Sequence, residues 1–433
     1  MDTFLHIGTK DTLYGGHKVK IGLTDRRQHC YITGKSGTGK SHFLATLFAQ
    51  EANQGRGCLV LDPHGDLAEQ CLDLVPPTRI RKTLYFNPAD ADHPISFNPL
   101  AGVKPEHHAI RAIEIVGAFK SIWSDSWGPR LEHVLFHTLL ALLEAGNATL
   151  LSIPQMLLNK SYRAAVVKTI KDPTCAGFWH DEFPALDKKF GMEAVSPVLN
   201  KIGQLLSSPV LRAILGQPVS AFDPRHLIDN NYLVIINLSK GLIGAQHANL
   251  LGSLLIASFG TAAMSRADIV PDQRKDFAII VDEFHNYTTH AFTYMLAEVR
   301  KYRLSLILAN QYLEQMSDPI RAAVLGNVGS LLVFRTGAED AARLARNLHP
   351  LRPEQLTETP NRQAWASVLQ YGHPSEVFLL TTPSLPKSHG RADTIIKVSR
   401  NHFASSRAIV EKRIAKFLDP TQARSSSQLS EWW

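Results

Sequence analysis

Gly34-Lys35-Ser36-Gly37-Thr38-Gly39-Lys40-Ser41 fits G-x-x-x-x-G-K-[ST], the pattern of a phosphate-binding loop, and its reading decides the fold. The glycines let backbone N–H groups turn inward around an anion and leave no side chain in the way. Lys40 places a cation against the β- and γ-phosphates, and the Ser41 hydroxyl suits Mg²⁺. The apolar run Cys30-Tyr31-Ile32-Thr33 precedes the loop. A helical pattern, Ser41–Ala52, follows it and points its positive dipole end at the same anion. Gly34, Lys35, Ser36, Gly37, Thr38, Gly39, Lys40 and Ser41 are therefore the expected nucleotide-binding set.

Outward from the loop, short apolar runs recur between helical patterns: Cys58–Leu61, Thr83–Phe86, Leu233–Asn237, Ala278–Val281, Ser305–Ala309 and Leu331–Phe334. Most are continuous rather than alternating, as in strands covered by helices on both faces. The fold class is α/β with a mostly parallel sheet and right-handed crossovers. From about Lys104 to Leu227 the chain reads as almost entirely helical, with Asp172-Pro173-Thr174, Pro184 and Pro209 as punctuation. An ordinary run of crossover helices is one reading. The length, with no convincing strand, favours an all-α insertion. The expected division is residues 1–103 and 229–400 for the two parts of the α/β core and 104–228 for the insertion. Residues 401–433 form a C-terminal helix, about Phe403–Leu418, and a polar tail ending in Trp432-Trp433. Those tryptophans either dock a protein partner or tuck back onto the chain.

The composition fits a folded, two- or three-domain protein. Of 433 residues, 44% are apolar and 20% charged, which excludes a wholly disordered or fibrous chain. The formal charge, 46 − 39 = +7, permits an anionic partner such as nucleic acid without requiring one. The four cysteines (Cys30, Cys58, Cys71, Cys175) form no CxxC pair, against a disulfide framework or zinc ribbon. No signal peptide is read. The most membrane-like stretch, Leu250–Met264, is short of the ~20 apolar residues of a span and reads as a buried helix. The expectation is a cytoplasmic chain without a membrane span.

A second motif complements the loop. Phe277-Ala278-Ile279-Ile280-Val281-Asp282-Glu283 is an apolar strand ending in two acids. Asp282 suits Mg²⁺, through water, and Glu283 suits orienting and activating an attacking water. A solvated acidic turn is the plainer reading, but paired with a P-loop the two acids favour hydrolysis. Ser305–Ala309 leads to Asn310-Gln311, and Gln311 either senses the γ-phosphate or is a plain loop residue. In Glu298-Val299-Arg300-Lys301-Tyr302-Arg303, Arg300 is either a surface cation or an arginine finger reaching a neighbouring subunit. His107-His108 and the pair His133 and His137 lack an obvious third metal ligand.

The ordered set of short motifs resembles the HerA–FtsK superfamily, closest to the TraG/TraD-like coupling ATPases of conjugation and type IV secretion and their soluble relatives. It comprises the P-loop, Leu61-Asp62-Pro63-His64-Gly65-Asp66-Leu67, Phe97-Asn98-Pro99-Leu100, Trp127-Gly128-Pro129-Arg130-Leu131-Glu132, Asn237-Leu238-Ser239-Lys240-Gly241, Asp282-Glu283-Phe284, Arg300-Lys301-Tyr302 and Ala309-Asn310-Gln311. It runs from about Arg27 to Val410. The resemblance implies a RecA-like core carrying an all-α insertion, assembled as a homo-hexameric ring that moves DNA through its channel using ATP and Mg²⁺. It also implies Mg²⁺ at Ser41 and Asp282, and catalytic roles for Lys40, Glu283, Gln311 and, acting in trans, Arg300. Such coupling proteins commonly begin with membrane helices, whereas here the P-loop is reached by residue 34.

The leading expectation is thus an ATP-driven DNA translocase with little sequence preference, since cations on channel loops read phosphates rather than bases. Arg130, Lys201 and Lys240 are candidate DNA contacts, against the plainer reading of surface cations. An ATP-gated ring scaffold that recruits an effector is the alternative. A small-molecule kinase fits the Asp-Glu pair less well.

Overall fold

The computed structural model of the protein describes residues 4–12 and 15–418. Its strands are β1 (Phe4–Thr12), β2 (Gly15–Gly22), β3 (Cys30–Thr33), β4 (Gly57–Asp62), β5 (Thr83–Phe86), β6 (Leu233–Asn237), β7 (Phe277–Val281), β8 (Leu304–Asn310), β9 (Ser330–Val333), β10 (Gln363–Ser367), β11 (Leu369–Gln370), β12 (His373–Pro374) and β13 (Phe378–Thr381). All but the small β11–β12 ribbon join one 11-stranded sheet, ordered β2-β1-β13-β10-β9-β3-β8-β7-β4-β6-β5. From β9 to β5 every neighbouring pair is parallel. Strands β4, β6, β7 and β8 are buried along their whole length, which is why their sequences run apolar without alternation.

The chain divides into two compact units. The first holds the described residues of Met1–Phe86 with Pro224–Gly241 and Phe259–Ser399, and it contains the sheet. Its core is built from β-strand residues such as Ile32, Val60, Ile235 and Ile280 together with Phe43, Leu44, Leu47 and Phe48 of the helix Lys40–Asn53. The parallel half of the sheet was legible as strands in the sequence. The other half was not. β1 pairs antiparallel with β2 and β13, and β10 pairs antiparallel with β9 and β13. β10 alternates between buried and half-buried positions, the pattern of a strand covered on one face. β2 is largely exposed. Such runs carry no continuous apolar signal.

The second unit holds Asn87–Asp223, Leu242–Ser258 and the described residues of Arg400–Trp433. Among its described residues the regular structure is helical, apart from an isolated bridge between Ile95 and Ala404. Helices His108–Ile122, Pro129–Ala145 and Met192–Ser207 form its longer elements. Two of the sequence motifs have structural employment here. Asn98 donates its side-chain amide to the carbonyls of Ala148 (2.9 Å) and Pro218 (2.8 Å), and its carbonyl accepts from Leu100 N–H (3.0 Å). Trp127 Nε1–H donates to Glu132 (2.7 Å), just ahead of a helix that opens with Pro129, where a missing N–H costs nothing. At the C-terminal end the structure has two helices, Ala392–Phe403 and Arg407–Leu418, where the sequence suggests one. The tail with Trp432-Trp433 lies outside the described residues.

The apolar stretch at Leu250 belongs to a longer helix than its sequence suggests, Ala245–Met264. Among the described residues, Ala245–Asp268 is long and apolar enough to cross a membrane, with mean hydropathy 1.3, yet 78% of its most apolar window is buried in the protein.

One buried polar residue ties the P-loop strand to its neighbour. His29 is 1% exposed, has φ of 61° and sits just before β3. Its Nε2–H donates to Leu296 O (2.9 Å), and its Nδ1 accepts from Leu306 N–H of β8 (3.0 Å). Only the neutral ring can do both. Burial, reinforced by the Arg300 charge, pushes the imidazole down to about 4 from 6.5. The unfolded chain therefore takes up more protons between about 4 and 6.5. Stability is lost as pH falls through that window, by roughly 2–3 kcal/mol for this group. Chemical denaturation from pH 8 down to 4.5 should show that decline, and His29→Gln, which has no basic ring to protonate, should flatten it.

Candidate functional site

β3 ends at Thr33, and the P-loop turns back over its carboxyl end. Gly34 has φ of +151°, and a Cβ there would stand 2.6 Å from Phe334 Cβ, so only glycine fits. Lys35 N–H donates to Arg335 O (2.8 Å), and the Thr38 hydroxyl donates to Lys35 O (2.8 Å). Gly39 has φ of +110° and releases the chain into the helix Lys40–Asn53. Gly34 and Thr38 are buried and Lys35 faces outward. These three shape the loop, while Ser36, Gly37, Gly39, Lys40 and Ser41 line a cavity of about 630 Å³.

The same cavity is lined by Asp282, Glu283 and Gln311, residues far apart in sequence that the strand order brings together. β7 and β8 stand beside β3 on one side, and their carboxyl ends share the edge occupied by the P-loop. Lys40 is 6% exposed, and its ammonium donates to Gly34 O and to Lys35 O (3.0 Å). Burial lowers its pKa, and the Asp282 and Glu283 charges oppose that. Asp282 is 6% exposed. Burial, then Glu283 and Asp62, raise its carboxyl to about 7. Two acids held this close out of water call for a cation, and Ser41 in the lining of the same cavity supplies a further hard oxygen.

Glu283 is 5% exposed and has φ of 47°, a left-handed conformation that a side-chain-bearing residue rarely adopts. The turn after it is fastened by Asn286, whose side chain donates to Glu283 O (2.7 Å). Its own carboxylate meets Gln315 Nε2 and His285 Nδ1, each at 3.4 Å from Oε2. Burial, with the charges of Lys240 and His64, pushes His285 down to about 4.

Sequence reasoning gave no role to several residues of this cavity. Asp62, at the end of β4, is fully buried, and its carboxylate accepts from the N–H groups of His64 (2.8 Å), Gly65 (2.9 Å) and Ala68 (3.0 Å). With Gly65 as the N-cap residue, the Asp62 carboxylate serves the free N–H groups at the start of the helix Asp66–Asp73 from the preceding turn, which places His64 and Asp66 in the cavity lining. Lys240 N–H donates to Pro63 O (2.9 Å), bracing the same turn. Asn361 and Arg362 also line the cavity, from the turn that enters β10. Because β10 is antiparallel to β9, that turn reaches the P-loop edge, and Arg362 N–H donates to Thr38 O (2.9 Å). The signal was a short turn with no motif, visible only once the register was known.

Arg300 is not brought to this cavity. It is exposed and precedes β8, whereas Gln311 follows it, so a seven-residue strand, about 20 Å, separates them. Of the basic residues singled out, Lys201 is only 9% exposed and offers little surface charge. Lys240 is half-buried, with its pKa lowered by burial against the pull of Glu283. Arg130 stacks its guanidinium over Phe190 at 4.0 Å. His133 pairs with Glu182 (2.8 Å), and His137 stacks on Phe178 with centroids 4.3 Å apart.

Residues 17–349 match the family described as the type IV secretion-system coupling protein DNA-binding domain. Among solved structures, the fold is similar to that of the bacterial conjugative coupling protein TrwBdeltaN70 (TM-score 0.64, 14% identity, covering 86% of this chain and 88% of that one). It is similar also to plasmid coupling protein TrwB in complex with ADP and Mg²⁺ (TM-score 0.60, 13% identity, 86% and 88% covered). VirB4 of Thermoanaerobacter pseudethanolicus matches at TM-score 0.60 and 16% identity, with 89% and 98% covered. No curated protein sequence matches the chain.

Proposed function

Since the chain belongs to the family of type IV secretion-system coupling protein DNA-binding domains, we propose that it is an ATP-hydrolysing motor on DNA, working as a homo-hexameric ring in the cytoplasm. The observation that carries this reading is the convergence of Lys40, Asp282, Glu283 and Gln311 on one cavity at the P-loop.

In this reading the P-loop amides and the Lys40 ammonium bind the β- and γ-phosphates. Ser41 and Asp282 are the residues that would hold Mg²⁺, which when bound neutralises charge developing on the phosphates. The TrwB complexes with ADPNP and with ADP and Mg²⁺ supply the analogy for both ligands. Glu283 orients and deprotonates the attacking water, and Gln311 senses the γ-phosphate. Arg300, remote from its own P-loop, serves the neighbouring subunit as an arginine finger, which is the reason to expect a ring. In this reading the helical unit, built largely from Asn87–Asp223, is the all-α domain carried by the RecA-like core.

The test is the ATPase rate with and without long DNA at several salt concentrations. A motor whose cations track the phosphate backbone should be stimulated several-fold, with the stimulation falling steeply between about 50 and 200 mM salt. A rate indifferent to both DNA and salt would favour the ATP-gated scaffold.

A further inference from the structure

Glu283 and Gln311 face the same cavity from two different strands, and one side chain touches both. Gln315, in the short 3-10 turn after β8, accepts on Oε1 from the backbone N–H groups of Gln311 (3.0 Å) and Tyr312 (3.1 Å). Its Nε2 donates to Glu283 Oε2 (3.4 Å). The amide has one workable orientation. Flipped, it would set its NH₂ against two N–H donors and its oxygen against a carboxylate.

We propose that Gln315 is a positioning residue that couples γ-phosphate sensing at Gln311 to the aim of the Glu283 carboxylate; the proposal rests on the hydrolytic reading above. Three features of the geometry support it. First, the Oε1 anchor is on the backbone of the sensor residue itself, so a shift of Gln311 toward a bound phosphate moves the amide with it. Second, the contact to Glu283 is longer than an ordinary N–H···O bond and has room to tighten when the cavity fills. Third, Glu283 has little freedom of its own: its backbone is left-handed, its carbonyl is held by Asn286, and His285 flanks the same carboxylate oxygen. The Gln315 amide is the contact on that carboxylate that leads to the sensor strand.

The test separates the anchor from the donor. Gln315→Ala removes both and should lower kcat about tenfold, with KM and the affinity for a fluorescent ATP analogue within twofold of wild type. The retained affinity also shows that the variant folds. Gln315→Glu keeps acceptor oxygens for the Gln311 and Tyr312 amides but turns a carboxylate on Glu283. If Gln315 acted only to hold the turn, this variant would work like wild type. The coupling requires it to be at least as slow as the alanine variant. In a Glu283→Gln background, adding Gln315→Ala should change the residual rate less than twofold, because the effect runs through Glu283. Wild-type turnover by Gln315→Glu, or full additivity with Glu283→Gln, overturns the coupling while leaving the hydrolytic reading intact. Wild-type turnover by Glu283→Gln alone overturns that reading instead.

Discussion

Glu283→Gln should bind ATP as tightly as the wild type and hydrolyse it about 10²–10⁴-fold more slowly, the range lost when a positioned general base is removed. The amide keeps the volume and the buried position of the acid, which is 5% exposed, so the fold has no reason to change. It also removes one of the two acids crowded at the end of β7. The Asp282 carboxyl, raised to about 7 in part by the Glu283 charge, should be easier to ionise, so cation binding is not weakened. Binding without turnover is therefore the signature. It would be measured as a fluorescent-nucleotide titration beside a phosphate-release assay. Loss of binding and turnover together would mean that Glu283 shapes the cavity rather than activating water.

Lys40→Ala should remove nucleotide binding itself, with affinity weakened by at least about 100-fold, or about 2.8 kcal/mol. The Lys40 ammonium is buried in the wall of this cavity, and its donors already point at the loop carbonyls of Gly34 and Lys35. A triphosphate offers those donors stronger, charged acceptors. Calorimetric titration with ATP would settle it, and a variant that kept tight binding would refute the assignment. The same variant tests Arg300. A Lys40→Ala subunit still carries Arg300, and an Arg300→Ala subunit still carries an intact loop. Each alone should be inactive. Mixed, they should regain part of the wild-type rate at junctions where one supplies what the other lacks. If mixtures stayed inactive, action between subunits would be wrong.

The sequence was most legible where burial is complete. Cys30–Thr33, Thr83–Phe86 and Leu233–Asn237 stand in the structure with the bounds their apolar runs suggest. Strands covered on both faces admit few polar residues, so the pattern is sharp. The β1–β2 hairpin escaped notice because β2 carries Lys18 and Lys20 among exposed positions and gains its place from pairing, not from its own apolarity. The helix Ala245–Met264 was read short because Gln246, His247 and Asn249 near its start are polar although its body is buried.

The site was legible where a motif carries its own chemistry, as in the P-loop and Asp282-Glu283. It was not legible where a residue matters through what it touches. Gln315 looks like any turn residue until its amide is found between Glu283 and Gln311. In the sequence Asp62 is only part of a motif, and its role emerges from its contacts, a carboxylate committed to three backbone amides.

Connections at the rim of a sheet usually tolerate insertions and deletions. The turn at Arg362 has no such slack. Its N–H is fastened to Thr38 on one flank, and its carbonyl accepts from Thr382 N–H (2.9 Å) and the Thr382 hydroxyl (3.0 Å) on the other. An extra residue there would have to break one of these backbone bonds. It would wrench the nucleotide cradle from a point more than three hundred positions downstream, so length variation among relatives of this chain belongs in other turns.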